Sequence, residues 1–103
     1  MAQRIRVKVP EGKLGDFCRR HHISRLSLFG SVLSDRFTDK SDVDVLVEFK
    51  PGMTPGLLGL SHIEREMSRL FGGRKMDLRT PNELSRYFRD DVISKAKVEY
   101  ASG

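Results

Sequence analysis

Behind Pro10, Leu14, Phe17, Cys18 and His21 recur at three- and four-residue spacing, which predicts a short amphipathic helix over residues 10–22. Gly12 and Gly15 make it a modest one. "RLSLFG" reads as a short strand stopping at Gly30, "SVLSDRF" as a helical turn or two, and "TDKS" as loop. "DVDVLVEF" carries the strongest strand signal, rich in β-branched residues and ended by "KPG". After the Pro/Gly-rich "KPGMTPG", Leu60, Ile63, Met67, Leu70 and Phe71 fall at helical spacing, and Gly72-Gly73 end that helix. "KMDLR" is a third strand. In "TPNE", Thr80, Pro81 and Glu83 form a capping box that opens a last helix, predicted to bury Leu84, Phe88, Val92 and Ala96. The alternation of Ile5, Val7 and Val9 fits either a further strand or, the reading favoured here, a solvated basic edge.

That order predicts one α/β (α+β) domain over residues 1–103, with a small mixed sheet and helices on one face. A chain of 103 residues has room for one compact core. Composition changes this picture little. Hydrophobic content of 38% with 32% charged residues is that of a soluble globular chain. No apolar run approaches the roughly 20 residues of a membrane span, and "MAQRIRVKVP" lacks the continuous apolar stretch of a secretory signal. With Cys18 as the lone cysteine, the chain reads as cytoplasmic. The net charge of +5 favours phosphate-bearing partners. Its cations are spread ("RIRVK", "CRRHH", "GGRK", "RYFR") rather than massed, which weakens a simple nucleic-acid reading.

Asp is disfavoured in strands, so Asp42 and Asp44 in "SDVDVLVEF" need an explanation. Residues two apart share a strand face, about 6.6 Å apart at roughly 3.3 Å per residue. Val43, Val45, Val47 and Phe49 then face the helices. In the third strand Met76 and Leu78 point one way, and Lys75, Asp77 and Arg79 the other. If the two strands pair in register, Asp77 joins the carboxylate face. Three carboxylates on one face repel one another, and a hard cation, Mg²⁺ or Mn²⁺, relieves that repulsion. Taken singly, each reads rather as an exposed residue on the wet side of a sheet.

Gly30-Ser31 adds a second element, since Gly permits close backbone approach and the free N–H groups of a following turn suit a phosphate. Gly30-Ser31, ten residues, then Asp42-x-Asp44 matches the G-S-x10-D-x-D signature, so the chain resembles the DNA polymerase β-like nucleotidyltransferase superfamily. More narrowly it is similar to the minimal nucleotidyltransferase (MNT) proteins, antitoxin partners of small helical HEPN toxins. The resemblance runs through "SRLSLFGS", "SDVDVLVEF", "PGLLGL", "GGRKMDLRTP" and "LSRYFRDDV".

The resemblance implies a polymerase β-like palm fold. It assigns Gly30 and Ser31 to the nucleotide triphosphate and Asp42 and Asp44 to two Mg²⁺ ions. Asp77 completes the metal site and helps deprotonate the acceptor. The implied reaction moves AMP from ATP to a tyrosine hydroxyl of a cognate HEPN ribonuclease, in a type VII-like toxin–antitoxin pair. Neutralisation by binding alone is the alternative, and a basic nucleic-acid-binding protein a third reading; neither a membrane nor direct nucleic-acid binding is expected. Many relatives carry Arg-Gly shortly after the Gly-Ser, where this chain has Val32-Leu33-Ser34-Asp35-Arg36, with Arg36 the nearest replacement charge.

Other residues carry less. Cys18 and His22 are half of a zinc site at best, with no second pair of ligands, and His62 has no partner at a diagnostic spacing. Met67, Leu70 and Phe71 read as core rather than an adenine pocket. Tyr87 fits a partner contact or the core edge. Lys75 and Arg79 serve equally as phosphate ligands or as charge balance.

Overall fold

The computed structural model describes residues 8–38 and 40–102. In chain order these form α1 (Glu11–Arg20), β1 (Ile23–Phe29), a 3₁₀ turn (Gly30–Leu33), β2 (Val43–Phe49) and α2 (Leu57–Leu70). Then come β3 (Met76–Arg79), a second 3₁₀ turn (Pro81–Glu83), α3 (Arg89–Lys95) and β4 (Lys97–Ala101). The sheet order is β3-β2-β1-β4. It is mixed: β1 is antiparallel to β2 and β4, while β2 and β3 are parallel, joined through α2. Among the described residues no helix is long and apolar enough to cross a membrane.

Alternation within the strands sorts the sheet into two faces. Val43, Val45 and Val47, with Leu26 and Leu28 of β1 and Met76 and Leu78 of β3, meet Leu14, Phe17 and Cys18 of α1 and Ile63 and Met67 of α2. Each such fully buried side chain contributes about 1.5–3 kcal/mol. Met67 and Phe71 are buried core residues, as the helical spacing predicted. The end of α1 is tied to α2, where Arg20 donates to Glu66 at 2.9 Å and His21 Nε2 meets the same carboxylate. The hydrogen bond from Arg20, with that from His21, holds the Glu66 carboxyl below the ordinary glutamate range. Glu64 of α2 accepts the Leu78 N–H at 3.1 Å, which satisfies a donor of the edge strand β3.

Cys18 is buried in this core, and burial pushes its thiol up to about 12. His22 stands beyond the helix in left-handed backbone, φ 59°, so the two residues build no ligand pair. Native Cys18 is therefore expected to resist a thiol reagent such as dithionitrobenzoate at pH 8 and to react fully after denaturation, a contrast read directly from absorbance. Prompt reaction of the native protein would contradict the burial.

Two predictions from the sequence are corrected at the C-terminal end. The capping box exists, with the Glu83 carboxylate accepting from the Thr80 N–H at 3.0 Å, but it closes one 3₁₀ turn instead of opening a long helix. Leu84 is extended (ψ 142°) and buried. Ser85 then starts a turn, its hydroxyl accepting the Tyr87 N–H at 3.3 Å and its carbonyl the Arg89 N–H at 2.8 Å. Such local bonds compete with a helical ladder. As a result Phe88 is 50% exposed rather than core. The second correction is β4, where a helix end had been predicted through Ala96; "KVEYA" pairs with β1, Leu26 opposite Tyr100. Ile5 and Val7 lie outside the described residues, while Val9 is outside any helix or strand and packs on the core.

Candidate functional site

The sheet register brings the carboxylates together. Asp44 of β2 lies opposite Asp77 of β3 on one side and Phe29 of β1 on the other. Asp42 stands just ahead of β2 rather than within it. Its position is fixed by the next residue, Val43, whose N–H donates to the Lys75 carbonyl at 2.9 Å. The Asp44 carboxyl is pushed above the ordinary aspartate range, chiefly by burial and then by the charges of Asp77 and Asp42, with Arg79 opposing. This face is not wholly wet, because Leu46 and Ser27 on it are buried.

The predicted Gly30-Ser31 element joins the same place. β1 delivers Phe29 to Asp44, and Gly30 then turns the chain at φ +74°. A Cβ on Gly30 would lie 2.3 Å from Asp44 Oδ2, so only glycine lets the backbone pass this closely. The expected helix is a single 3₁₀ turn, Gly30–Leu33, anchored by buried Val32 and closed by the Ser34 N–H donating to the Ser31 carbonyl at 2.9 Å.

Cations stand over the carboxylates. Lys75 Nζ is 3.9 Å from Asp42 and Arg79 Nε 3.5 Å from Asp77, so both cations stand beside carboxylates of this face. Among the described residues no three His, Cys, Asp or Glu side chains converge as a ready chelate. The donor set nevertheless fits a hard divalent ion. It consists of carboxylate oxygens, the donors that hard divalent ions take. Asp42, Asp44 and Asp77 are the residues that would hold Mg²⁺.

Two cavities share Phe29, the β1 partner of Asp44. One, of about 350 Å³, is lined by Gly30, Leu33, Ser34, Asp91, Val92 and Lys95. The other, of about 360 Å³, holds Asp44, Asp77, Arg79, Leu84 and Phe88. Lys95, paired with Asp91 at 3.2 Å, is thus the cation that lines the cavity at Gly30. Arg36 does not line it; it is exposed in the turn beyond, its N–H donating to Ser34 Oγ at 3.2 Å. The i,i+4 spacing of Asp91 and Lys95 marked a helical pair, but nothing in it marked proximity to Gly30.

Arg74 is a second residue whose role the sequence did not reveal. Its guanidinium donates to the carbonyls of Thr38 (3.0 Å) and Ser41 (3.1 Å) and stacks over Phe37 at 4.6 Å, bracing the loop that delivers Asp42. Arg74→Ala is expected to cost about 1–2 kcal/mol in denaturant unfolding. It should also lower nucleotidyl transfer, because Asp42 loses its support; unchanged transfer would mean that the brace is only structural.

Comparison with known proteins agrees with this geometry. Residues 12–100 match the family model described as "Nucleotidyltransferase domain". A Methanocaldococcus jannaschii protein named as a candidate protein adenylyltransferase, MJ0435, is 31% identical over 77 residues, which span 75% of this chain and 80% of that protein. A solved structure of a candidate minimal nucleotidyltransferase superposes with a TM-score of 0.65 at 32% identity, covering 79% of this chain and 80% of that one. A toxin–antitoxin structure with AMP-PNP shares the fold at a TM-score of 0.72 and 18% identity, covering 91% of this chain and 75% of that one. The mixed sheet, the glycine turn against Asp44 and the extent of these matches together place the chain in the nucleotidyltransferase domain family, as a minimal nucleotidyltransferase.

Proposed function

We propose that this nucleotidyltransferase is a Mg²⁺-dependent protein adenylyltransferase, which transfers AMP from ATP to a tyrosine hydroxyl of a HEPN-type toxin and so acts as its antitoxin. The observation that carries the reading is the register of Asp44 against Asp77, directly beside a Gly30 turn that has no room for a side chain. The name of the M. jannaschii relative and the toxin–antitoxin assemblies among the structural neighbours support the acceptor class. The single cysteine, buried and free, supports a reducing, cytoplasmic compartment.

In this mechanism the Gly30-Ser31 turn positions the triphosphate, and Lys95, ion-paired with Asp91, lines the cavity beside Gly30. The acceptor oxygen attacks the α-phosphorus; an O–P bond forms, the α–β bridging P–O bond breaks, and pyrophosphate leaves. Asp77 takes the acceptor proton. Mg²⁺ held by Asp42, Asp44 and Asp77 would supply positive charge at the attacking and leaving oxygens. The rest of the catalysis is positioning, which the paired strands provide by fixing Asp44 and Asp77 side by side.

A second reading, neutralisation by binding alone, is favoured by one observation: Lys75 and Arg79 already balance Asp42 and Asp77. Intact mass of the partner HEPN protein, after incubation with this chain, ATP and Mg²⁺, separates the two. Gain of one or more AMP units, absent with Asp42→Asn/Asp44→Asn, is the expected result. A stable complex with no mass gain would leave the binding antitoxin as the better account.

A further inference from the structure

A cation-lined groove lies behind the sheet, on the side opposite Asp44 and Asp77. There α1 and α2 cover the core face, and a cavity of about 550 Å³ opens between them. This is within the roughly 300–1,000 Å³ of ligand pockets and larger than either cavity beside Phe29. Each helix supplies one row of side chains. Lys13, Phe17 and Arg20 of α1, and His62, Glu66 and Arg69 of α2, both run at i, i+4 and i+7, the spacing that stacks side chains along one helix face.

Glu66 fixes the groove rather than filling it. Its carboxylate accepts from Arg20 at 2.9 Å and meets His21, and the Arg20 guanidinium also lies 5.9 Å over the Phe17 ring. Arg20 is thus held in place before any ligand arrives, which lowers the ordering cost of binding. Lys13 and Arg69 differ. Both are exposed, and among the described residues neither has an ion-pair partner, whereas Arg19 of the same helix as Lys13 is paired with Asp16. With one carboxylate against three cations, the lining stays positive.

We infer that this groove is a docking surface for an acidic segment of a protein partner, one that carries carboxylates on either side of an apolar side chain. Lys13 and Arg69 receive the carboxylates, and partly buried Leu70 beside Phe17 gives the apolar side chain a floor. Nucleic acid fits the groove less well, for two reasons. Single strands are held by bases stacked on exposed aromatic rings, and Phe17 is buried with Arg20 over its ring. A phosphate backbone also needs an unbroken cationic track, which Glu66 interrupts. Because the groove and the carboxylates lie on opposite sides of the sheet, an occupant here leaves Asp42, Asp44 and Asp77 uncovered.

The test is fluorescence anisotropy at low ionic strength, with the whole protein and a labelled peptide repeating Glu-Leu-Glu. In Lys13→Gln/Arg69→Gln the peptide Kd is expected to rise about tenfold, the scale of two exposed ion pairs. Lys50→Gln/Arg86→Gln, which removes the same charge from exposed sites elsewhere, should leave it unchanged. All four side chains are exposed, so neither variant should shift the melting temperature. A peptide with serine in place of leucine should bind several-fold more weakly, and Kd for ATP with Mg²⁺ should be the same in the groove variant as in wild type. Failure of the wild-type protein to bind the peptide would overturn the inference. So would an equal loss in the Lys50/Arg86 variant, which would reduce the attraction to net charge, or equal binding of the serine peptide, which would remove the apolar floor. Displacement of the peptide by a lower concentration of single-stranded RNA oligonucleotide would overturn it in favour of a nucleic-acid site. Weaker ATP binding in the groove variant would do so in favour of a triphosphate site.

Discussion

Replacing Asp44 by Asn is expected to abolish nucleotidyl transfer while raising the melting temperature of the metal-free protein. Both effects come from one cause. Asp44 is partly buried between Asp77 and Phe29 and under the closest approach of Gly30, and its carboxyl is pushed upward by burial and by its two acidic neighbours. A carboxyl raised above its unfolded value binds its proton more tightly in the native state, so its contribution to stability is complete below the unfolded pKa of about 3.9 and is lost as pH rises through the folded value. At pH 7 the ionised Asp44 therefore costs stability that Asn does not. Scanning calorimetry should show the variant melting above wild type at pH 7, with the difference shrinking toward pH 4. Adding Mg²⁺ should raise the wild-type melting temperature and shift the variant's less, since Asn keeps an oxygen but removes one negative charge from the donor set. Transfer should fall by about 10³-fold or more, the scale seen when a group stabilising transition-state charge is removed. A variant that is no more stable than wild type at pH 7 would mean that the carboxylates do not strain the fold. One that retains transfer would remove Asp44 from the chemistry.

Much of this arrangement is legible in the sequence. Val43, Val45 and Val47 alternate with Asp44, and Met76 and Leu78 with Asp77, so each strand announces two faces; parallel pairing in register then puts the two carboxylates side by side. The end of α2 was equally readable, because Gly72 and Gly73 both adopt positive φ just past it. What could not be read depends on contacts between distant residues. Thr80, Pro81 and Glu83 satisfy the local rule for a helix start, yet burial of Leu84 and the hydrogen bonds of Ser85 stop the helix after one turn. β4 is short, and its Val98 is exposed, so its strand character comes from the open edge of β1 beside it rather than from its own pattern. Arg74 and Lys95 are ordinary surface cations in sequence. Only the fold puts one on the loop before Asp42 and the other in the cavity at Gly30.

Gly30→Ala is expected to be the most damaging single methyl group in the chain. Two penalties combine at this position. Left-handed backbone at φ +74° costs an L-residue about 1–2 kcal/mol. The new Cβ would also sit 2.3 Å from Asp44 Oδ2 and 3.2 Å from Asp44 Cγ, so either the turn or the carboxylate must move. A displacement of about 1 Å at a reacting centre costs about 10²-fold in rate, and transfer should fall at least that far. Gly12→Ala is the control: no atom lies within 4 Å of its Cβ, it lies in α1, and the change should stabilise by roughly 0.5–1 kcal/mol. The steric part can be separated from the backbone part by a double-mutant cycle with Asp44→Ala, which removes the obstructing carboxylate. If the turn and Asp44 are built against each other, Gly30→Ala should cost less stability in the Asp44→Ala background than in wild type, leaving only the left-handed penalty. Equal costs in the two backgrounds would mean that the turn is constrained independently of Asp44. Glycine would then be required at position 30 by backbone conformation alone, and the close packing of the Gly30 turn against the carboxylate would have no part in selecting it.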